Sequence, residues 1–438
     1  MRAIRMSCRR RLVLVIIPLL LAAPIPAQHQ TKAQAQTTVA TTGKAYFPPP
    51  DEQGGWRTLS GADDIRRTVG LDSRKFDEAF QLIQGNTKNG GLLIVRHGWL
   101  VFERYFGNGH REATANLASC GKSFTSIAAG MLMAEHPELF PAGLDQKIFT
   151  PRYMPPDVFP LTDPRKSEIK LGQLLAMTGG IRGNNPVLVH GKESRIDPAG
   201  PDGWIAKIET VASGKEDKEL NGTRYSTTTL WCDPGEGYSY ASSSVHLASM
   251  MVRHVSGQEL QAYLDQWLAK PLGWGRWGYG YKSHPEITHT PGSGGIVVRP
   301  TDMLRFGYLL LHEGNWNGQQ LVPVEYIRHC RRKSPYNPHS PYSLQFNVNT
   351  DGGYPELPRD AYWKSGSGGH VIYVVPSLDL VVWKLGGRDE QYAPSNTGLA
   401  THPDAARNAQ LREGWKKTEE TTATLRKVLQ LVVASISG

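Results

Sequence analysis

Leu117 to Met131 reads LASCGKSFTSIAAGM, a serine at the mouth of an apolar run with a lysine three places later. On a helix, Ser119 and Lys122 share one face a single turn apart. Serine is a common helix N-cap, because its hydroxyl accepts an orphan backbone N–H. That reading accounts for Ser119 and leaves Lys122 unexplained: the third helical position favours Glu or Gln, and a cation there opposes the positive end of the helix dipole. If the first turn is buried, desolvation and the dipole both favour the neutral amine. A neutral amine one turn from a hydroxyl is a general base beside a nucleophile.

The spacing alone is cheap, since a chain of this length contains about one such pair by accident. A second pair, Ser167 and Lys170, lies in the polar run DPRKSEIK and reads as a solvated helix entry. Nucleophilic catalysis also needs a second proton carrier and donors for an oxyanion. PGEGYSYASSSVHLASMM places Tyr240 in a Gly- and Ser-rich turn before a helix, with Tyr238 as the competing tyrosine. Either phenol, taken alone, is more often a half-buried aromatic. AYWKSGSGGHVIYVVP places Lys364 at the start of a strand, where the small residues after it leave backbone N–H groups open to a ligand. Its structural alternative is a bulged edge strand with a surface lysine. Gly237-Tyr238-Ser239-Tyr240-Ala241 resembles the nucleophile elbow of an α/β-hydrolase, but WCDPGEG before it is turn chemistry and not the apolar strand an elbow requires. Cys120 reads as a packed core residue.

The elements that must position these residues come from the whole chain of 438 residues. It opens with MRAIRMSCRRRLVLVIIPLLLAAPIPAQ, basic, then apolar, then small, which is expected to be a secretory signal peptide over residues 1–27. The apolar core of that leader is short for a membrane span, so the mature protein is expected to carry none. Arg10 and Arg11 are compatible with twin-arginine export, and the expected location is secreted or periplasmic. The formal charge of +9 falls to about +4 without the leader arginines, and no basic stripe with interleaved aromatics is present, which argues against a nucleic-acid partner. Cys8 leaves with the leader, and Cys120, Cys232 and Cys330 allow at most one disulfide.

Residues 28–55 read as a disordered or extended lead-in, and residues 56–438 as one domain. GGLLIVRHGWLVFERYFG is expected to form a hairpin turning at His97-Gly98. About residues 135–299 read as an irregular, largely helical insert, followed by the helix TDMLRFGYLLLHEG. YSLQFNVN, HVIYVVP and LDLVVWKLGG read as three strands in sequence, and ATLRKVLQLVVAS as a final helix. Strands at both chain ends predict an α+β fold: one antiparallel sheet assembled from the two termini, flanked by helices.

Three motifs in order, Ser119-Cys120-Gly121-Lys122, Tyr240-Ala241-Ser242 and Lys364-Ser365-Gly366, together with their surroundings over roughly Gly90 to Gly387, resemble the serine β-lactamase-like hydrolases. That family includes class C β-lactamases, D-alanyl-D-alanine carboxypeptidases, family VIII esterases and 6-aminohexanoate-dimer hydrolases. The resemblance implies that Ser119 attacks a carbonyl to form an acyl-enzyme and that Lys122 and Tyr240 share the proton work, either of them serving as primary base. It implies that Lys364 keeps both poised, and that the backbone N–H groups of Ser119 and Ser367 form an oxyanion hole. Ser242, Ser365, Gly366 and Ser367 are the implied substrate-binding residues, and no cofactor or metal is implied. The implied partner is a small amide or ester. Ser242 stands where β-lactamases carry asparagine, which argues against antibiotic hydrolysis, whereas Lys364 favours a substrate with a free carboxylate. A penicillin- or peptidoglycan-binding protein without turnover is the alternative on the same fold.

Overall fold

The computed structural model describes residues 45–161, 163–188, 230–283, 289–399 and 422–436. The expected leader, and the lead-in as far as residue 44, lie outside these residues. Gly90–Arg96 (β1) and Trp99–Phe106 (β2) form the expected hairpin. His97 and Gly98 both have positive φ, 52° and 73°, as the twist of a two-residue turn requires.

Among the described residues, the main sheet has six strands, all antiparallel. The strands from the C-terminal part are Asn347–Val348 (β9), Tyr362–Gly366 (β10), His370–Val375 (β11) and Leu380–Leu385 (β12), and the order across the sheet is β2-β1-β12-β11-β10-β9. β1 pairs with β12, so the two ends of the chain close the sheet as the pattern predicted. Two details differ. YSLQFNVN is not a strand over most of its length, because Gln345 has φ 68° and the backbone folds on itself through Ser343 N–H to Phe346 O. The second difference is in AYWKSG, which forms its own strand and makes a hairpin with HVIYVV where a single strand was expected.

Both faces of the sheet are covered, which explains why its strands read as unbroken apolar runs. Leu92 and Ile94 face one core with Phe76, Phe80 and Ile83, from the helix Arg74–Asn86, and Val428 and Leu429, from Thr422–Val433. Leu93 and Val95 face the other, with Phe124 and Phe306. Alternation along a strand sends neighbours to opposite sides, and each such buried side chain contributes roughly 1.5–3 kcal/mol.

On the site side, Pro300–Leu311 (α3) packs on the sheet, and Gly121–Glu135 (α1) packs against Ser242–Ser256 (α2). α1 is buried all round from Gly121 to Leu132, as a central helix must be. The insert contributes Asn184–Leu188 (β3), Gly237–Tyr240 (β4), Trp277–Tyr279 (β5) and Ile296–Val298 (β6), so it includes two small two-stranded sheets among its helices, and Asn315–Trp316 (β7) pairs with Gln319–Gln320 (β8) after α3. Tyr46 to Asp51 run along α3, where Tyr308 donates to Tyr46 O at 2.9 Å and Arg305 donates to Asp51 and to Pro49 O, both at 2.6 Å. Among the described residues no helix is long and apolar enough to cross a membrane.

Candidate active site

Ser119 sits in a single 3₁₀ turn, Ala118–Cys120, immediately before α1. Ala118 has φ 47°, unusual for a residue with a side chain. Its N–H donates to Asn116 Oδ1 at 3.0 Å, while Leu117 N–H donates to Ile296 O in β6 at 2.8 Å. The turn is thus held from two sides. No side chain caps either the turn or α1, so the capping reading of Ser119 fails. Its hydroxyl instead accepts from Lys122 Nζ at 3.1 Å.

Lys122 is buried, and its second partner is the Ser293 carbonyl, delivered by the glycine-rich segment that enters β6. Burial pushes its amine down to about 8, opposed by Tyr240 and reinforced by Lys364. Near neutral pH it therefore carries a useful neutral fraction. Tyr240 ends β4, one residue short of α2, and stands between two lysines. Lys122 Nζ lies 5.4 Å and Lys364 Nζ 5.3 Å from the centre of its ring.

Lys364, in β10, is equally buried and donates to the hydroxyls of Tyr240 at 3.3 Å and Tyr342 at 2.7 Å. Desolvation brings it down to about 7. Two residues on, an added Cβ at Gly366 would lie 2.1 Å from Leu117 O. Only glycine lets the strand approach the Ser119 turn this closely.

These elements enclose a cleft of about 530 Å³. Ser119, Lys122, Ser242 and Ser367 line it. Tyr240, Lys364, Ser365 and Gly366 are not among its lining residues. Asn116, Tyr281, Arg388, Gln391 and Asn396 line it as well, and none of them was singled out in the sequence. Arg388 bonds to Glu390 at 2.9 Å on the wall. Gln391 donates to the carbonyls of Asn116 and Ser367, bridging the two sides. The glycine-rich turns around these residues were the only signal for them.

The remaining sequence candidates resolve structurally. Ser239 is buried and its hydroxyl accepts from Gly183 N–H, which rules out an elbow nucleophile. Ser167 bonds to Pro164 O and Lys170 to Asp145, away from each other. Cys120, Cys232 and Cys330 are free and buried, and desolvation pushes the Cys120 thiol up to about 12. Among the described residues no group of His, Cys, Asp or Glu stands ready to hold a metal.

The family model described as Beta-lactamase matches residues 73–396, about three quarters of the chain. The chain belongs to the beta-lactamase family. Solved structures of this family's fold agree with it at low identity. A Bacillus anthracis protein assigned as a 6-aminohexanoate-dimer hydrolase is 19% identical, with TM-score 0.53, over 83% of this chain and 88% of that one. EstCE1, a hydrolase with promiscuous acyltransferase activity, is 17% identical with TM-score 0.54, over 73% and 97%. The octameric penicillin-binding protein homologue from Pyrococcus abyssi is 18% identical with TM-score 0.50, over 74% of each chain. No curated protein matches the sequence. Members of the beta-lactamase family are hydrolases, and the architecture here is theirs.

Proposed function

We propose that the protein is an exported serine hydrolase acting through an acyl-enzyme on small amides or carboxylic esters. The observation that carries this reading is the bond between Lys122 and Ser119, made by an amine whose burial favours the neutral form. In this reading the Ser119 hydroxyl attacks the carbonyl carbon while Lys122 Nζ takes its proton. The carbonyl oxygen becomes an oxyanion, met by the backbone N–H groups of Ser119 and Ser367. Tyr240 then gives its phenol proton to the departing amine or alcohol and regains one from Lys122, and later helps water attack the acyl-enzyme, one water proton going to Ser119 Oγ as the acid leaves. Lys364 supports the Tyr240 oxygen from behind. Export rests on the leader at residues 1–27 and is tested by the N-terminus of the secreted protein.

Amide and ester substrates are favoured by two similar proteins, one assigned as a 6-aminohexanoate-dimer hydrolase and one described as a hydrolase with acyltransferase activity. Ser242 at the cleft wall, in place of asparagine, favours a substrate other than a β-lactam. The test is the intact mass of the mature protein after exposure to a fluorophosphonate, with the labelled peptide mapped. One adduct on Ser119, and turnover in a panel of esters, D-amino-acid peptides and β-lactams, would support the reading. An adduct on Ser119 with no turnover would favour a binding protein, and labelling elsewhere would remove Ser119 from the role.

A further inference from the structure

Gln391 is buried in the 3₁₀ turn Asp389–Tyr392 that follows β12. Arg388 N–H donates to its Oε1 at 3.1 Å, which leaves the amide nitrogen facing two backbone carbonyls. Nε2 donates to Asn116 O at 2.7 Å and to Ser367 O at 3.1 Å. A primary amide has two protons in one plane, so both are committed. His370 Nε2 lies 3.3 Å from the same nitrogen but is no third acceptor, because Gly386 N–H donates to His370 Nδ1 at 3.1 Å and so puts the imidazole proton on Nε2. Burial keeps His370 neutral, and that proton goes to Asn116 O as well.

We propose that Gln391 is a positioning residue that sets the spacing between the Ser119 and Ser367 N–H groups, so that both reach one oxyanion. The inference rests on the serine hydrolase reading. Asn116 leads into the Ser119 turn: its N–H donates to Gln391 O at 2.8 Å, and its Oδ1 accepts from Ala118 N–H, one residue before Ser119. Ser367 opens the turn between β10 and β11, where every carbonyl of residues 366–369 is held. Gly366 O accepts from Gly369 N–H at 3.2 Å, Ser367 O from Gln391, Gly368 O from Gly387 N–H at 2.8 Å, and Gly369 O from Lys384 Nζ. An oxyanion takes both donors only when each stands about 2.7–3.1 Å from its position, and here the donors come from separate elements. The contact of Gly366 with Leu117 O limits how closely those elements approach, and the planar Gln391 bridge limits how far apart they move. Gln391 lines the cleft, yet with both protons spent it has none for a substrate.

The experiment compares kcat/KM for p-nitrophenyl acetate and for its thiono analogue, in the full-length mature protein, Gln391→Leu and Gln391→Glu. This ratio reports acylation, and sulfur in place of the carbonyl oxygen accepts hydrogen bonds poorly, so the oxygen ester is the one that draws on the two donors. Rates are expressed per Ser119 titrated to completion with a fluorophosphonate, so that unfolded protein does not count. Gln391→Leu removes both bonds and should lower kcat/KM about 10²-fold for the ester and less than about fivefold for the thionoester. Gln391→Glu keeps the shape and the acceptor for Arg388 N–H but has at most one proton to give. It should lower the ester value by about tenfold and again spare the thionoester. No loss in either variant, or a loss of equal size on both esters, would give Gln391 a purely structural role and overturn the inference. An unaltered protein that turns over neither ester and takes no label on Ser119 would instead overturn the hydrolase reading itself.

Discussion

Lys122 Nζ stands 3.1 Å from Ser119 Oγ, on a helix whose N-terminus takes no side-chain cap. The serine that could have stabilised the helix is engaged by the amine instead. Ser119→Ala should abolish labelling and turnover, at least about 10³-fold, and change stability by no more than about 1 kcal/mol. Lys122→Arg is the sharper variant, because a guanidinium keeps the charge and cannot release its proton. It should lose activity by a similar factor. Substantial turnover in Lys122→Arg would take the base role away from Lys122.

Among the described residues no carboxylate pairs with the buried Lys364, and its pKa falls from 10.5 to about 7 on folding. The depressed value means that between about pH 7 and 10.5 the unfolded chain holds a proton the native state has released, so this group makes stability rise with pH across that window. Below pH 7 the group is charged in both states and the full cost of its burial is present, on the order of a few kcal/mol. Lys364→Met should therefore raise the melting temperature by a few degrees at pH 6, with the gain fading toward pH 10, while turnover is lost. A variant destabilised at pH 6 would contradict this account.

Arg388, on the cleft wall, is half-neutralised by Glu390 and largely exposed. A solvated guanidinium contributes about 1 kcal/mol to an anionic ligand. Arg388→Ala should raise KM by about fivefold for an ester carrying a free carboxylate and leave its neutral methyl ester within about twofold. Equal effects on both esters would mean that Arg388 shapes the cleft without reading charge.

Arg305 is buried between Asp302 at 2.8 Å and Asp51 at 2.6 Å. Arg305→Ala would leave the wholly buried Asp302 with Arg299, at 2.8 Å, as its remaining cation and take one buried cation from between two carboxylates, and should destabilise the fold by about 3–5 kcal/mol. Denaturant unfolding measures it, and a loss under about 1 kcal/mol would show that Arg299 compensates.

The hairpin at His97-Gly98 was legible because a two-residue turn with positive φ leaves a local signature. The sheet closing β1 on β12 was legible from apolar runs at both ends of the chain. Gln345 was not, since nothing local in YSLQFNVN announces a left-handed glutamine; its conformation is imposed by Ser123 and Leu175, far away in sequence. The same limit hid Tyr342, which lay in that segment. Ser293 contributes a backbone carbonyl to Lys122, and a carbonyl has no residue type to recognise. What motifs made legible was a set of side chains spread from Ser119 to Lys364; what they left out were the acceptors that determine where protons sit.

Gly366 and the Leu117 carbonyl abut so closely that no side chain fits between β10 and the Ser119 turn. Variation in substrate range therefore falls to side chains that line the cleft, such as Ser242, Tyr281 and Arg388, while Asn396 is tied through Asn116 to the Ser119 turn. For anyone redesigning this protein, that contrast separates a rigid contact to be left alone from lining side chains where a mutant library is worth building.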